Sequence, residues 1–170
     1  MIARASRPPR FRRLSPWIST LVRLVLAGVF LAAGAMKAID LQSSVAAVRA
    51  YELLPASLEV AVGWALPFVE IVMGLLLVIG AFARLLAVVS ALVLAAFLVA
   101  VISASVRGLS IDCGCFGGGG TVAPGQTEYT GEIVRDTVLL LLALWLAWQP
   151  RSRLSLDAGG TEPRELEVAR

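Results

Sequence analysis

Histidine is absent from this chain, and cysteine occurs only at Cys113 and Cys115. Without histidine there is no Cys–His catalytic pair, and the commonest transition-metal and haem ligand is missing. Two thiolates cannot complete a four-ligand zinc site, so no metal is expected unless a second chain shares it. Charge is scarce too. Charged residues make up 16% of the sequence, too few to give a soluble domain of this length its polar shell. The net charge of +3 does not point to nucleic acid, because no stripe of Lys and Arg interleaved with aromatics stands outside the apolar runs.

Apolar residues are what the sequence has in abundance, 58% of the total, gathered into long runs. About 20 such residues cross the hydrocarbon core of a bilayer. Four segments are read as spans: residues 17–39, 58–82, 85–106 and 132–148. The expected fold is all-α, a polytopic four-helix membrane bundle over residues 17–149. A basic N-terminus (1–16) precedes it, and a polar tail (150–170), expected to be disordered, follows. The basic start resembles a signal-peptide n-region, but the apolar stretch after it is too long for an h-region and more spans succeed it. It is therefore read as a retained helix.

Details refine this plan. The fourth span has Arg135 and Asp136 inside its start, and Pro150 ends it. Leu41, Val45 and Val48 share one helical face, which predicts a short amphipathic helix at the interface between spans one and two. Ser43 or Ser44 would cap it, and Pro55 would stop it. Pro67 predicts a kink near Glu70. In the third span, Ala87, Ala91 and Ala95 recur every fourth residue, as do Ala96, Ala100 and Ala104, so close helix packing is expected there.

The arginines give an orientation. With the N-terminus inside, the inner side holds Arg4, Arg7, Arg10, Arg12, Arg13, Arg84, Arg151, Arg153, Arg164 and Arg170, against Arg49 and Arg107 outside. Positive charge stays cytoplasmic. Both termini are then cytoplasmic, and the loop with the two cysteines faces outward from the cell membrane. Trp17, Trp145 and Trp148 would mark the inner interface and Trp64 the outer one.

That loop reads Asp112-Cys113-Gly114-Cys115-Phe116-Gly117. A disulfide needs Cα atoms about 4.4–6.8 Å apart, which a bent i, i+2 pair can meet, and the intervening glycine permits the bend. So small a ring is strained, and strained exposed disulfides exchange readily. A structural bridge would normally close a longer loop. Asp112 would disfavour the Cys113 thiolate unless Arg107 offsets it, so Cys115 is the expected attacking thiol. Three readings stand open: a redox-active pair, half of a metal site shared with another chain, or a static turn.

Among the charges in or near the spans, five stand out: Arg23, Lys37, Glu70, Arg135 and Asp136. Counting along the second span puts Glu70 near mid-bilayer, where an ionisable side chain needs a partner. Arg23 could reach Glu70, and Lys37 could pair with Asp136. Such pairs either fix helix register or line a quinone or ligand pocket.

The sequence resembles the DoxX-like superfamily, and within it the methylamine-utilisation protein MauE family. The residues that carry the likeness are Arg23-Leu24-Val25-Leu26-Ala27-Gly28-Val29-Phe30 and Gly34-Ala35-Met36-Lys37, then Tyr51-Glu52-Leu53-Leu54-Pro55, Pro67-Phe68-Val69-Glu70, the cysteine loop, and Arg135-Asp136. The resemblance implies a four-helix membrane bundle that helps mature disulfide-rich periplasmic enzymes, notably the small subunit of methylamine dehydrogenase, beside a thioredoxin-like partner. Two functions follow as expectations. The first is a membrane thiol–disulfide relay, with Cys113 and Cys115 as catalytic residues and electrons passing to or from a membrane quinone or another redox protein. The second is a non-catalytic small subunit that stabilises or assembles a larger membrane complex. Solute transport would rest on Glu70 alone.

Overall fold

The computed structural model describes residues 9–115, 117–123 and 125–149. The cytoplasmic assignment of residues 1–8, Phe116 of the cysteine loop, the stop at Pro150 and the disordered tail all fall outside the described residues. Side chains are described from Pro16 onward.

Among the described residues the chain is mostly helical, with helices α1 (Pro9–Ile39), α2 (Leu41–Ala50), α3 (Ala56–Ile79), α4 (Ala83–Val106) and α5 (Tyr129–Trp148). Three of them are long and apolar enough to cross a membrane: α3, α4 and the Pro16–Ile39 part of α1. α5 is not among these three, because Glu132, Arg135 and Asp136 all fall in its first two turns. Strands β1 (Ile111–Asp112) and β2 (Gly120–Thr121) form a small antiparallel hairpin between α4 and α5, pairing Ile111 with Thr121 and Asp112 with Gly120.

The burial pattern is inverted relative to a soluble protein. Leu21, Leu92, Val99 and Leu141 lie largely open on the outside, while Arg23, Lys37, Glu70 and Asp136 are buried. In water the reverse arrangement is the stable one. Lipid removes the penalty on an apolar exterior and raises the cost of an exposed charge.

α1 packs on α3 and α4 on α5, with α1–α5 and α3–α4 contacts joining the two pairs. Leu26, Leu77, Ala87, Ala143 and Leu146 are fully buried along the shared seam. Gly34 marks a close approach between α1 and α3: a Cβ there would sit 2.7 Å from the Pro67 carbonyl oxygen. A small residue at this point lets the two backbones touch. α3 runs unbroken through the buried Pro67. At the opposite end of the molecule, the Ser19 hydroxyl donates to the Gln149 carbonyl at 2.9 Å, bringing the start of α1 and the end of α5 together.

α2 is capped by Asp40 and not by Ser43 or Ser44. The Asp40 carboxylate accepts from the backbone N–H groups of Gln42 and Ser43, each at 3.1 Å. Asp is the better cap because its ionised oxygens match the free donors of the first turn. The Ser44 hydroxyl is used elsewhere, donating to the Gly63 carbonyl at 2.8 Å. Ser44, Val45 and Ala47 are buried as α2 packs along the first turns of α3 and against β2.

Candidate functional site

The Cys-Gly-Cys turn rests directly on α2. Gly114 has φ +64°, and a Cβ there would stand 2.6 Å from the Cβ of Ala47. Neither the backbone angle nor the space admits a side chain. Gly119, at φ +116°, meets Ala47 in the same way, and its Cβ would also lie 3.1 Å from the Ser43 carbonyl. The Asp112 carboxylate accepts from the Gly114 N–H at 3.0 Å and holds the turn tight. Behind it, the Tyr129 hydroxyl donates to the Leu109 carbonyl at 2.6 Å, tying the loop to the start of α5.

Cys113 and Cys115 are free, half-buried thiols. The Cys115 N–H donates to Cys113 Sγ at 3.3 Å. The two sulfurs are chemically unequal. Hydrogen bonding to Cys115 pushes the Cys113 pKa well above the usual thiol range, and burial and the charge on Cys115 push it further the same way. The Cys115 pKa moves down, first because Cys113 donates a hydrogen bond to its sulfur, then because Arg135 and Lys37 supply positive field. Burial and Asp136 oppose this shift. The thiolate is therefore favoured at Cys115.

Arg107 does not offset Asp112. It donates to the Tyr51 carbonyl and stands 4.0 Å from Glu52. The cation beside the cysteines is Arg135, whose Nη2 lies 4.0 Å from Cys113 Sγ.

Beneath the turn the charges pair differently from expectation. Lys37 Nζ meets Glu70 Oε1 at 2.6 Å, both nearly inaccessible. Asp136 is held by its neighbour instead, Arg135 Nε to Oδ1 at 2.8 Å. Arg23 is only 1% exposed, but the Glu70 carboxylate belongs to Lys37. The reason is register. α3 starts beyond the end of α1, with α2 packed on its first turns, so Glu70 falls level with Gly34 and Lys37 near the end of α1. Among the described residues, Glu70 Oε2 and Asp136 Oδ2 have no hydrogen-bond partner. Lys37, Glu70, Cys115, Arg135 and Asp136 all border one cavity of about 30 Å³. Six of the seven expected site residues thus share one end of the fold, and Arg23 stands apart.

The region that carries these features, residues 15–149, matches the family described as methylamine utilisation protein MauE. The chain belongs to the MauE family. No curated protein and no solved structure matches it.

Three residues of this MauE-family site went unassigned from sequence. Glu132 is one: its carboxylate, that of Asp112 and Cys113 Sγ lie within 4.8 Å of one another. An i, i+3, i+4 reading of Glu132, Arg135 and Asp136 would have put all three on one helix face. Tyr51 and Phe97 are the others. Both line a larger apolar cavity beside the thiols, and Lys37 Nζ sits 5.5 Å from the Phe97 ring centre. Nothing in the local sequence marks Phe97, since an aromatic in an apolar run reads as packing.

Proposed function

We propose that this chain is a membrane thiol–disulfide exchange protein. In this reading α1, α3, α4 and α5 form a four-span bundle in the cell membrane. Both termini are cytoplasmic, α2 lies at the outer interface, and the Cys-Gly-Cys turn faces outward. The apolar stripe Val134, Val138, Leu141 and Leu144, open along α5, supports a fourth span despite the charges at its start. The observation that carries the proposal is the unequal pair of free thiols, one favoured as thiolate and one as thiol, on a glycine turn above buried charge.

Exchange follows in two steps. The Cys115 thiolate attacks a disulfide of a thioredoxin-like extracytoplasmic partner. A mixed disulfide forms and one partner thiolate leaves. Cys113 then loses its proton and attacks Cys115 Sγ. The Cys113–Cys115 bond forms and the second partner thiolate leaves. The partner is reduced and this chain oxidised; the reverse sequence delivers a disulfide. Membership of the MauE family supports a place in methylamine utilisation, and within it we assign the chain to the maturation of disulfide-containing enzymes. With a single pair of cysteines the chain has no second dithiol to relay electrons internally, so in this reading a redox partner is obligatory.

The test is trapping. Membranes from cells carrying Cys113→Ser should show, on non-reducing gels, an adduct that collapses with reductant, and Cys115→Ser should not. If neither variant traps an adduct and the double variant keeps full function, the exchange reading fails. An assembly subunit of a larger membrane complex then takes its place.

A further inference from the structure

An apolar cavity of about 230 Å³ opens beside the cysteine turn. Cys113 and Cys115 form part of its wall, and Lys37, Tyr51, Leu66 and Phe97 form much of the rest. Leu53 and Val62 also line it, and both are open to the exterior of the protein. The cavity lining thus continues into side chains on the protein's apolar exterior. Ligand pockets usually run from about 300 to 1,000 Å³, so this one suits a single ring and not an extended drug-sized molecule.

We propose that the cavity takes the head group of a membrane quinone, which accepts two electrons from Cys113 and Cys115. This inference rests on the exchange reading above and adds the oxidant. Three features select a quinone over a lipid acyl chain. Both cysteines line the cavity. Phe97 lines it too and supplies an aromatic ring for stacking. Two lining residues with hydrogen-bond donors, Tyr51 and Lys37, can serve ring carbonyls. Lys37 has three N–H donors, and Glu70 uses one. Burial, and then the nearby thiols, hold the Tyr51 pKa above its ordinary value, so its O–H remains a donor throughout the physiological range. The small strained ring of a Cys-Gly-Cys disulfide is itself an oxidant toward other thiols, so a quinone drives its formation further than an ordinary partner disulfide does.

The step balances. The Cys115 thiolate adds to a ring carbon. Cys113 attacks Cys115 Sγ, the sulfur–sulfur bond forms, the sulfur–carbon bond breaks, and its electron pair stays on the ring. The two thiol protons end on the two quinone oxygens. Dithiol and quinone become disulfide and hydroquinone.

The experiment uses reduced, purified full-length protein in lipid nanodiscs with a short-chain ubiquinone analogue. Thiols are counted by alkylation and mass spectrometry, and hydroquinone by absorbance. The wild type should lose both thiols, gain no ring mass, and release one hydroquinone per protein. Leu66→Trp, which fills the cavity, should leave both thiols reduced, yet should still exchange with glutathione disulfide. Should that variant misfold, Tyr51→Phe gives the second reading: a rise of roughly five- to tenfold in the quinone concentration needed, the worth of one hydrogen bond. If the wild type exchanges with glutathione disulfide but quinone leaves its thiols untouched, the cavity assignment falls while the exchange function stands. A stable ring–cysteine adduct, or equal oxidation of wild type, Leu66→Trp and Tyr51→Phe, also overturns the assignment. No exchange with either reagent overturns both readings.

Discussion

Lys37 on α1 and Glu70 on α3 meet at 2.6 Å with almost no solvent contact, and they sit directly beneath the cysteine turn. Breaking a buried pair from one side strands a charge and costs about 3–5 kcal/mol, whereas replacing both partners by apolar residues of similar volume is often neutral or better. Lys37→Met and Glu70→Leu should each lower the midpoint of unfolding in mixed micelles, and the double variant should recover most of the loss. Additive losses in the double variant would show that the two side chains act independently.

Thiol reactivity should depend on pH unequally at the two positions. Alkylation follows the thiolate fraction. Because the Cys115 pKa is lowered, its labelling should rise at a lower pH than that of an ordinary thiol. The raised pKa of Cys113 should keep it slow across the same range. The largest cause of the Cys115 shift is the hydrogen bond from Cys113, so Cys113→Ala should move the Cys115 profile to higher pH. Cys113→Ser retains a donor and should move it less. Site-resolved alkylation rates across pH read this directly.

Gly114→Ala should loosen the turn. The left-handed angle costs a side-chain-bearing residue roughly 1–2 kcal/mol, and the new Cβ would collide with Ala47. Both thiols should then label faster and more alike. Ala47→Gly removes the collision and leaves the backbone cost, so the double variant should recover only in part. Labelling rates and melting temperature of the three variants check this.

A membrane-impermeant maleimide, applied after reduction, should modify the cysteines of intact cells. Labelling that appears only after permeabilisation would place the turn on the inner side and remove the exchange with an outer partner.

The sequence alone determined the long apolar helices and where the candidate chemistry lies. Long apolar runs with few charges read as membrane helices, and two cysteines without histidine confine the candidate chemistry to one glycine turn. The glycine between Cys113 and Cys115 signalled a tight turn, and the structure gives it its left-handed angle. Helices α1, α3 and α4 were legible within a few residues, except that α1 begins earlier, at Pro9. Tertiary structure decided which charge meets which. Pairing depends on axial register between helices, and register is set by contacts such as Gly34 against Pro67, which no count along one helix can show. Hence Lys37 took Glu70, Asp136 went to Arg135, and Arg135 replaced Arg107 beside the thiols. Only packing could bring Tyr51 from the end of α2, Phe97 from mid-α4 and Glu132 from the first turn of α5 around one pair of sulfurs. These residues are far apart in sequence, and their roles come from the space they enclose.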